Sequence, residues 1–204
     1  MDLADMPIFA SMEKRALAED SFKQEDSVKL NMLGNTFVLW YLENERNREW
    51  KDCVKQIGAF ESVQGCLAVY LAVKPPSNLA FGYDYMLFKE GVKPMWEDEN
   101  NRNGGRWRVS IESRKNHSYI RTDSYWHDLM EAFVEGHFTD SDDILGIVVN
   151  RRSKGDKISV WTRDASNEEA TERVGKELKK LLGMPKTDKM AYFAHKMEAG
   201  RTEM

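Results

Sequence analysis

The 204 residues are 41% hydrophobic and 31% charged, with 13 glycines and 5 prolines. That composition excludes fibrous, collagen-like and largely disordered chains and allows one folded domain with a sizeable core. A net charge of −4 argues against a protein that grips long nucleic acid through its overall field, so a polyanionic partner has to be met by a local basic patch.

Residues 1–34 read as a polar, charge-mixed tail in which Ile8, Phe9, Met12, Ala16 and Leu17 are loosely spaced as on one face of a short helix. Acids come early in it, with no basic stretch followed by an apolar one, so secretion is not expected. Residues 35–204 read as the folded domain. Thr36–Leu42 is aromatic and β-branched, a strand, and the charged loop Glu43–Glu49 that follows leaves Trp50 at a loop edge. Ser62–Val73 has Val63, Cys66, Leu67, Tyr70 and Leu71 at helical spacing and stops at Pro75-Pro76, which predicts a first helix. Tyr83–Phe88 reads as a strand, and the Gly-, Pro- and Asn-rich stretch Gly91–Gly105 as a loop carrying Trp96, Glu97 and Asp98.

Arg106–Glu112 alternates strictly between polar and apolar residues, the pattern of a half-buried strand. Asp123–Val134 predicts a second helix with Tyr125, Trp126, Leu129, Met130, Phe133 and Val134 on one wide stripe. Ile144–Asn150 and Lys157–Arg163 read as strands joined by the cation-loaded turn Arg151–Asp156. Ser166-Asn-Glu-Glu169 has capping-box form and opens a third helix with Ala170, Val174, Leu178, Leu181 and Leu182 on its apolar face, closed by Gly183 and Pro185. Met190–His195 is a last strand candidate. The strands are close in sequence and lack regular βαβ alternation. The expected class is therefore α+β: a curved antiparallel sheet with about three helices layered on its convex face.

No apolar run approaches the ~20 residues that span a bilayer, so a soluble chain with no membrane partner is expected. Cys53 and Cys66 read as reduced, small core residues. His117, His127, His137 and His195 share no ligand spacing, and no P-loop, nucleophile elbow or HExxH occurs. Neither a metal nor a cofactor nor a catalytic residue is expected. Only the acids Glu97-Asp98 and Asp140–Asp143 keep a nucleotide hydrolase open as an alternative class.

Six tryptophans are more than a core of this size needs. Trp40, Trp107 and Trp126 lie on predicted strands or a helix stripe and read as core. A different constellation joins three loops: Trp50, then Trp96 and Glu97, then Arg152 and Lys157 flanked by Trp161, with Arg106 just after Gly104-Gly105. Two indoles can hold a purine by stacking, worth roughly 1–3 kcal/mol per base. A carboxylate beside that slot accepts from the N1–H and N2 amino group of guanine, two donors that adenine does not present there. Cations beyond the slot hold a polyphosphate, Arg through its fork and Lys as a point charge. Methylation of the guanine at N7 would add a cation–π contribution of ~0.5–2 kcal/mol and strengthen the bond to the carboxylate. Taken by themselves, a loop tryptophan can equally fold back on the core, and the cations Arg151, Arg152, Lys154 and Lys157 can equally form a solvated hairpin tip.

Asp84–Asp98, Gly104–Trp107 and Val148–Trp161 resemble, in order and spacing, the signatures of the messenger RNA cap-binding translation initiation factor 4E family, and the similarity runs from about Thr36 to His195. The resemblance implies that Trp50 and Trp96 stack on the 7-methylguanine and that Glu97 reads its edge. Trp161 would touch the methyl group, and Arg152 and Lys157 would hold the phosphates with support from Arg106 and Lys154. It implies a monomer that binds the capped 5′ end of messenger RNA in the cytoplasm, with a nuclear pool allowed. Family members bind scaffold factor 4G and 4E-binding proteins on the convex face through a histidine-proline pair, a tryptophan and leucines. Asn31-Met32, Leu67, His127 and Glu131 stand there in this sequence, while Val63 and the acid Asp128 persist. Losing an interface tryptophan costs about 2 kcal/mol or more, so weakened scaffold contacts are expected. A cap-binding repressor or specialised paralogue is the alternative. Phe37 also replaces a tryptophan of the family, and the last loop beside the phosphates reads as shortened.

Overall fold

The computed structural model describes residues 29–43, 49–112, 118–184 and 188–195, with the side chains of Trp50 and Ser118 outside that description. Seven strands are present among these residues: β1 (Met32–Leu42), β2 (Val54–Ser62), β3 (Asp84–Lys89), β4 (Gly105–Glu112), β5 (Ile144–Asn150), β6 (Gly155–Thr162) and β7 (Lys189–Ala194). They form one curved sheet in the order β2-β1-β3-β5-β6-β4-β7, with every neighbour antiparallel. Four helices accompany it: α1 (Trp50–Cys53), α2 (Val63–Ala72), α3 (Ser118–Val134) and α4 (Glu168–Leu181).

Side chains alternate across a strand, and that alternation sorts this sheet into two faces. Phe37 and Leu39 of β1, Tyr85 and Leu87 of β3, Ile147 and Val149 of β5, Ile158 and Val160 of β6 and Val109 and Ile111 of β4 all point one way. They meet Trp126, Leu129 and Phe133 of α3 and Val174 and Leu178 of α4 in the main core. Fully burying a side chain of this size contributes ~1.5–3 kcal/mol, so this layer fixes which face the long helices cover. Leu42, Met86, Phe88, Val148 and Trp161 point the other way and join Cys53 of α1 in a smaller cluster. Gly146 of β5 makes that cluster fit: a Cβ there would collide with the Phe88 ring, which lies edge-on to Trp161 at 5.4 Å.

Several expectations need correction. β2 was not visible because its sequence, Val54-Lys-Gln-Ile-Gly-Ala-Phe-Glu-Ser62, shows no clean alternation. As an edge strand it buries only Phe60 and Ser62. β1 starts at Met32, ahead of residue 35, and residues 1–28 with their apolar spacing lie outside the described residues. In α2 only Cys66 is buried and Leu71 is well exposed, so the apolar spacing there does not mark a core stripe. α3 begins at Ser118, ahead of Asp123, with Tyr119 and Ile120 exposed on the added turn. The cap of α4 is Asn167, whose Oδ1 accepts from Ala170 N–H at 3.2 Å, because the Ser166 hydroxyl donates instead to Asp164 at 2.7 Å. Trp126 is buried, but Trp40 and Trp107 are only partly so; the Trp107 indole lies against Gly175 and donates to the Thr171 carbonyl at 2.8 Å.

Candidate functional site

The face of the sheet away from the long helices carries a cavity of about 610 Å³, floored by Met86, Val148 and Trp161. One wall is the loop between β3 and β4. Asn101, fully buried in that loop, donates from Nδ2 to the carbonyls of Lys93 and Met95, both at 2.8 Å. The amides of Asn101 and Arg102 donate to the Asp98 carbonyl at 3.0 and 2.9 Å, and the Asp98 amide donates to Met95 at 3.2 Å. The backbone on both sides of Trp96 is thus tied down. Trp96 is held 47% exposed at the cavity wall with Glu97 exposed beside it. A large apolar ring on a loop with its backbone bonds made cannot fold inward without breaking them.

Trp50 opens α1 rather than sitting in the preceding loop. Its backbone lies between Glu49 and Lys51, which both line the cavity, and its side chain is outside the described residues.

The opposite end of the cavity is cationic. Arg152 donates to the two carboxylate oxygens of Asp84 at 2.5 and 3.0 Å and to the Arg151 carbonyl at 2.9 Å. Asp84 is buried at the start of β3. Burial pushes its carboxyl above the usual carboxylate range, and the Arg152 guanidinium pulls it partly back. The Arg152 side chain remains 34% exposed. With part of its five-donor fork unused, it is oriented for a further anion. Arg151, its neighbour, turns to Asp156 at 2.6 Å, and Asp156 also accepts from the Thr122 hydroxyl of α3 at 2.8 Å. Adjacent arginines thus take opposite sides of the hairpin.

Lys157 lines the same end, its ammonium held below the usual lysine range by burial and then by Arg108, Arg152 and Arg106. Arg106 lies with its guanidinium 5.7 Å from the Trp161 ring centre. Trp161 is almost fully buried between Phe88 and His195, the latter at 4.3 Å between ring centres. Gly104 precedes Arg106 for a steric reason: a Cβ there would run into the Thr162 carbonyl of β6.

The fold therefore gathers Trp96, Glu97, Arg106, Arg152, Lys157 and Trp161 around one cavity, with the Trp50 backbone at its edge. Lys154 is exposed on the hairpin and does not line it. The sequence reading missed Asp84, Asn101 and Arg108. An acid opening a strand of apolar residues was a usable signal for Asp84. The charged position in the alternation of β4 was one for Arg108. Asn101, among other polar loop residues, gave none.

The positions expected to meet protein partners are spread differently. Val63 and Leu67 are half-buried on α2. His127 is interior at 5% exposure, edge-on to Tyr70 with ring centres 5.6 Å apart, which corrects its reading as a surface contact. Asp128 and Glu131 are half-buried, and burial followed by the nearby Glu135 raises the Glu131 carboxyl. Val63 also lines a separate cavity of about 740 Å³ with Lys29–Gly34, Val134 and His137. Among the described residues no group of three or more His, Cys, Asp or Glu side chains could hold a metal, and no helix is long and apolar enough to cross a membrane.

Known proteins resemble both the sequence and this geometry. The chain is 41% identical over 187 residues to eukaryotic translation initiation factor 4E-3 of Caenorhabditis elegans, covering 91% of this chain and 74% of that protein. It is 38% identical over 164 residues to human eukaryotic translation initiation factor 4E, covering 80% and 75%. The solved complex of C. elegans eIF4E-3 with the 4E-binding protein Mextli and cap analog superposes with a TM-score of 0.79 at 41% identity, over 86% of this chain and 99% of that one. The complex of Ascaris suum eIF4E-3 with m2,2,7G cap also gives 0.79, at 42% identity over 82% and 92%. The family model described as eukaryotic initiation factor 4E matches residues 32–204. With the sheet, the tryptophan loop and the cationic hairpin all in place, this chain belongs to the eukaryotic initiation factor 4E family.

Proposed function

We propose that the chain binds the 7-methylguanosine cap at messenger RNA 5′ ends and serves translation initiation in the cytoplasm without catalysing a reaction. One observation carries this reading: Trp96 and Glu97 are held out by a stapled loop at one wall of a cavity whose other end presents Arg152 and Lys157. That is the order of groups a stacked base, its hydrogen-bonding edge and its phosphates require. Trp96 and Trp50 sandwich the base, and Glu97 accepts from its N1–H and N2 amino group. Trp161 backs the methyl group. Arg152 and Lys157 hold the triphosphate, with Arg106 beside them and Lys154 as an outer, solvated cation. The solved relatives in complex with a cap analog, and with m7G and m2,2,7G caps, support the same ligand class.

The partner class follows from the relative captured with the 4E-binding protein Mextli. The buried His127 and the half-buried acid Glu131 favour a second reading for that face. There the chain occupies caps while engaging the scaffold factor 4G weakly, as a repressor or specialised paralogue would.

Retention on cap-analogue resin tests the proposal. The purified chain should bind, elute with free m7GTP and return the nucleotide intact, while Trp96→Ala should pass through. A wild-type chain that is not retained, or that releases phosphate from the analogue, would overturn it.

A further inference from the structure

We infer that the slot continues past the triphosphate: Arg108 and Lys189 form a second cationic subsite, at the β4–β7 edge of the sheet, for the RNA phosphodiester that follows the cap. This rests on the cap reading above and extends it to the body of the messenger. Strand register carries the argument. Ser110 of β4 pairs with Lys157 of β6 on one side and with Lys189 of β7 on the other. Arg108 pairs with Ser159 and Ala191, and Arg106 with Trp161 and Phe193. Residues directly opposite one another share a face, so Lys157, Arg106, Arg108 and Lys189 all stand on the slot side. The Arg108 guanidinium, 4.0 Å from the Phe193 ring centre, agrees with that placement.

A row of cations therefore crosses the sheet from the β5–β6 hairpin to the β7 edge. Lys189 lies two strand spacings from Lys157, ~10 Å, further than the end of a triphosphate already held by Lys157 and Arg152 needs to reach. Arg108 is drawn toward β7 by its stack on Phe193, which fixes the plane of its fork. Like charges gathered this closely disfavour one another. Arg108 heads the charges that lower the Lys157 ammonium, and Asp84, the acid that raises it, is already bonded to Arg152. In a chain of net charge −4, such a stripe is stabilised by a polyanion longer than the cap alone.

The test is a set of fluorescence titrations of the full chain with m7GTP and with an m7G-capped tetraribonucleotide, each at several salt concentrations, for wild type, Arg108→Leu and Lys189→Gln. Lys189 is an exposed edge residue, so its variant keeps the test open if Arg108→Leu perturbs folding. Wild type should bind the capped oligonucleotide more tightly than m7GTP. Each variant should lower oligonucleotide affinity about three- to fivefold and reduce the salt slope by ~0.7, the share of one single-strand phosphate contact. Lys189→Gln should change affinity for m7GTP by less than about twofold, whereas Arg108→Leu, whose side chain also lines the slot, should lose clearly more for the oligonucleotide than for m7GTP. Equal losses for both ligands would assign Arg108 to the triphosphate and overturn the subsite, as would no loss for either. A wild type that binds m7GTP with no gain for the oligonucleotide overturns the subsite alone. One that binds neither overturns the cap reading and the subsite together.

Discussion

The two faces of the sheet handle charge differently. On the slot face, Arg106, Arg108, Arg152 and Lys157 line one cavity, and the buried carboxylate that faces them, Asp84, orients Arg152 while leaving it partly exposed. On the helix face the titratable groups are packed among one another: His127 against Tyr70, His137 with Glu135 at 3.0 Å, and Glu131 half-buried near Glu135. Positive charge kept at a cavity wall is arranged for a ligand outside the chain. On the helix face the groups that burial acts on, His127 and Glu131, turn toward the chain's own interior, and a partner meeting the Glu131 carboxyl has to supply the compensation.

The sharpest way to break this contrast is Trp96→Ala. Removing a half-exposed ring should leave the melting temperature nearly unchanged and cut affinity for a cap analogue at least about tenfold, since base stacking is worth ~1–3 kcal/mol. Asp84→Ala comes next. It takes away the carboxylate that orients Arg152, and it should lower both thermal stability and phosphate-dependent affinity. About 1–3 kcal/mol is expected, below the cost of breaking a fully buried pair because Arg152 is one-third in solvent. Asn101→Ala leaves the carbonyls of Lys93 and Met95 without their donor, at ~1–3 kcal/mol. Its signature is faster amide exchange confined to residues 93–104, accompanied by weaker cap binding although Asn101 touches no ligand.

The helix face supplies smaller effects. Folding raises the Glu131 carboxyl, burial first and Glu135 second. The carboxylate is therefore disfavoured in the native state above its folded pKa, and that penalty disappears below the unfolded value, where both states are protonated. Glu131→Gln should raise the melting temperature slightly near neutral pH, with the difference vanishing as the pH drops through the ordinary glutamate range. The Cys66 thiol, buried and near Glu135, is pushed up to about 12, and Cys53 is also buried. Neither should react with a thiol reagent at pH 8 until denaturant exposes them, and prompt native-state labelling would contradict the packing of α1, for Cys53, or of α2, for Cys66.

Legibility followed the physics of each region. β4 could be read from Arg106–Glu112 because one buried face imposes a period on the sequence, and β5 from the continuous apolar run Ile144–Val149, which is buried on both faces. β2 could not, since an edge strand with Lys55, Gln56 and Glu61 exposed carries little of that period. The residues proposed to meet the ligand stood out by type, as tryptophans and cations in loops. Those that hold them in place, Asn101 and Asp84, act through bonds to carbonyls and to an arginine distant in sequence, which spacing does not encode. On the helix face, His127 was expected as a contact only because it stands at a position the resemblance assigns to partner binding, and spacing carried no sign of its edge-on packing against Tyr70 in the interior.

The slot, on the proposed function, reads a positively charged, N7-methylated guanine rather than any purine triphosphate. Tryptophan fluorescence titration of the wild-type chain with m7GTP and with GTP under identical conditions tests it directly. Quenching with m7GTP at an affinity at least about tenfold above that for GTP is the expected result, since the methyl cation contributes ~0.5–2 kcal/mol to stacking and strengthens the bond to Glu97. Equal affinity for the two nucleotides, or no fluorescence response to either, would contradict it.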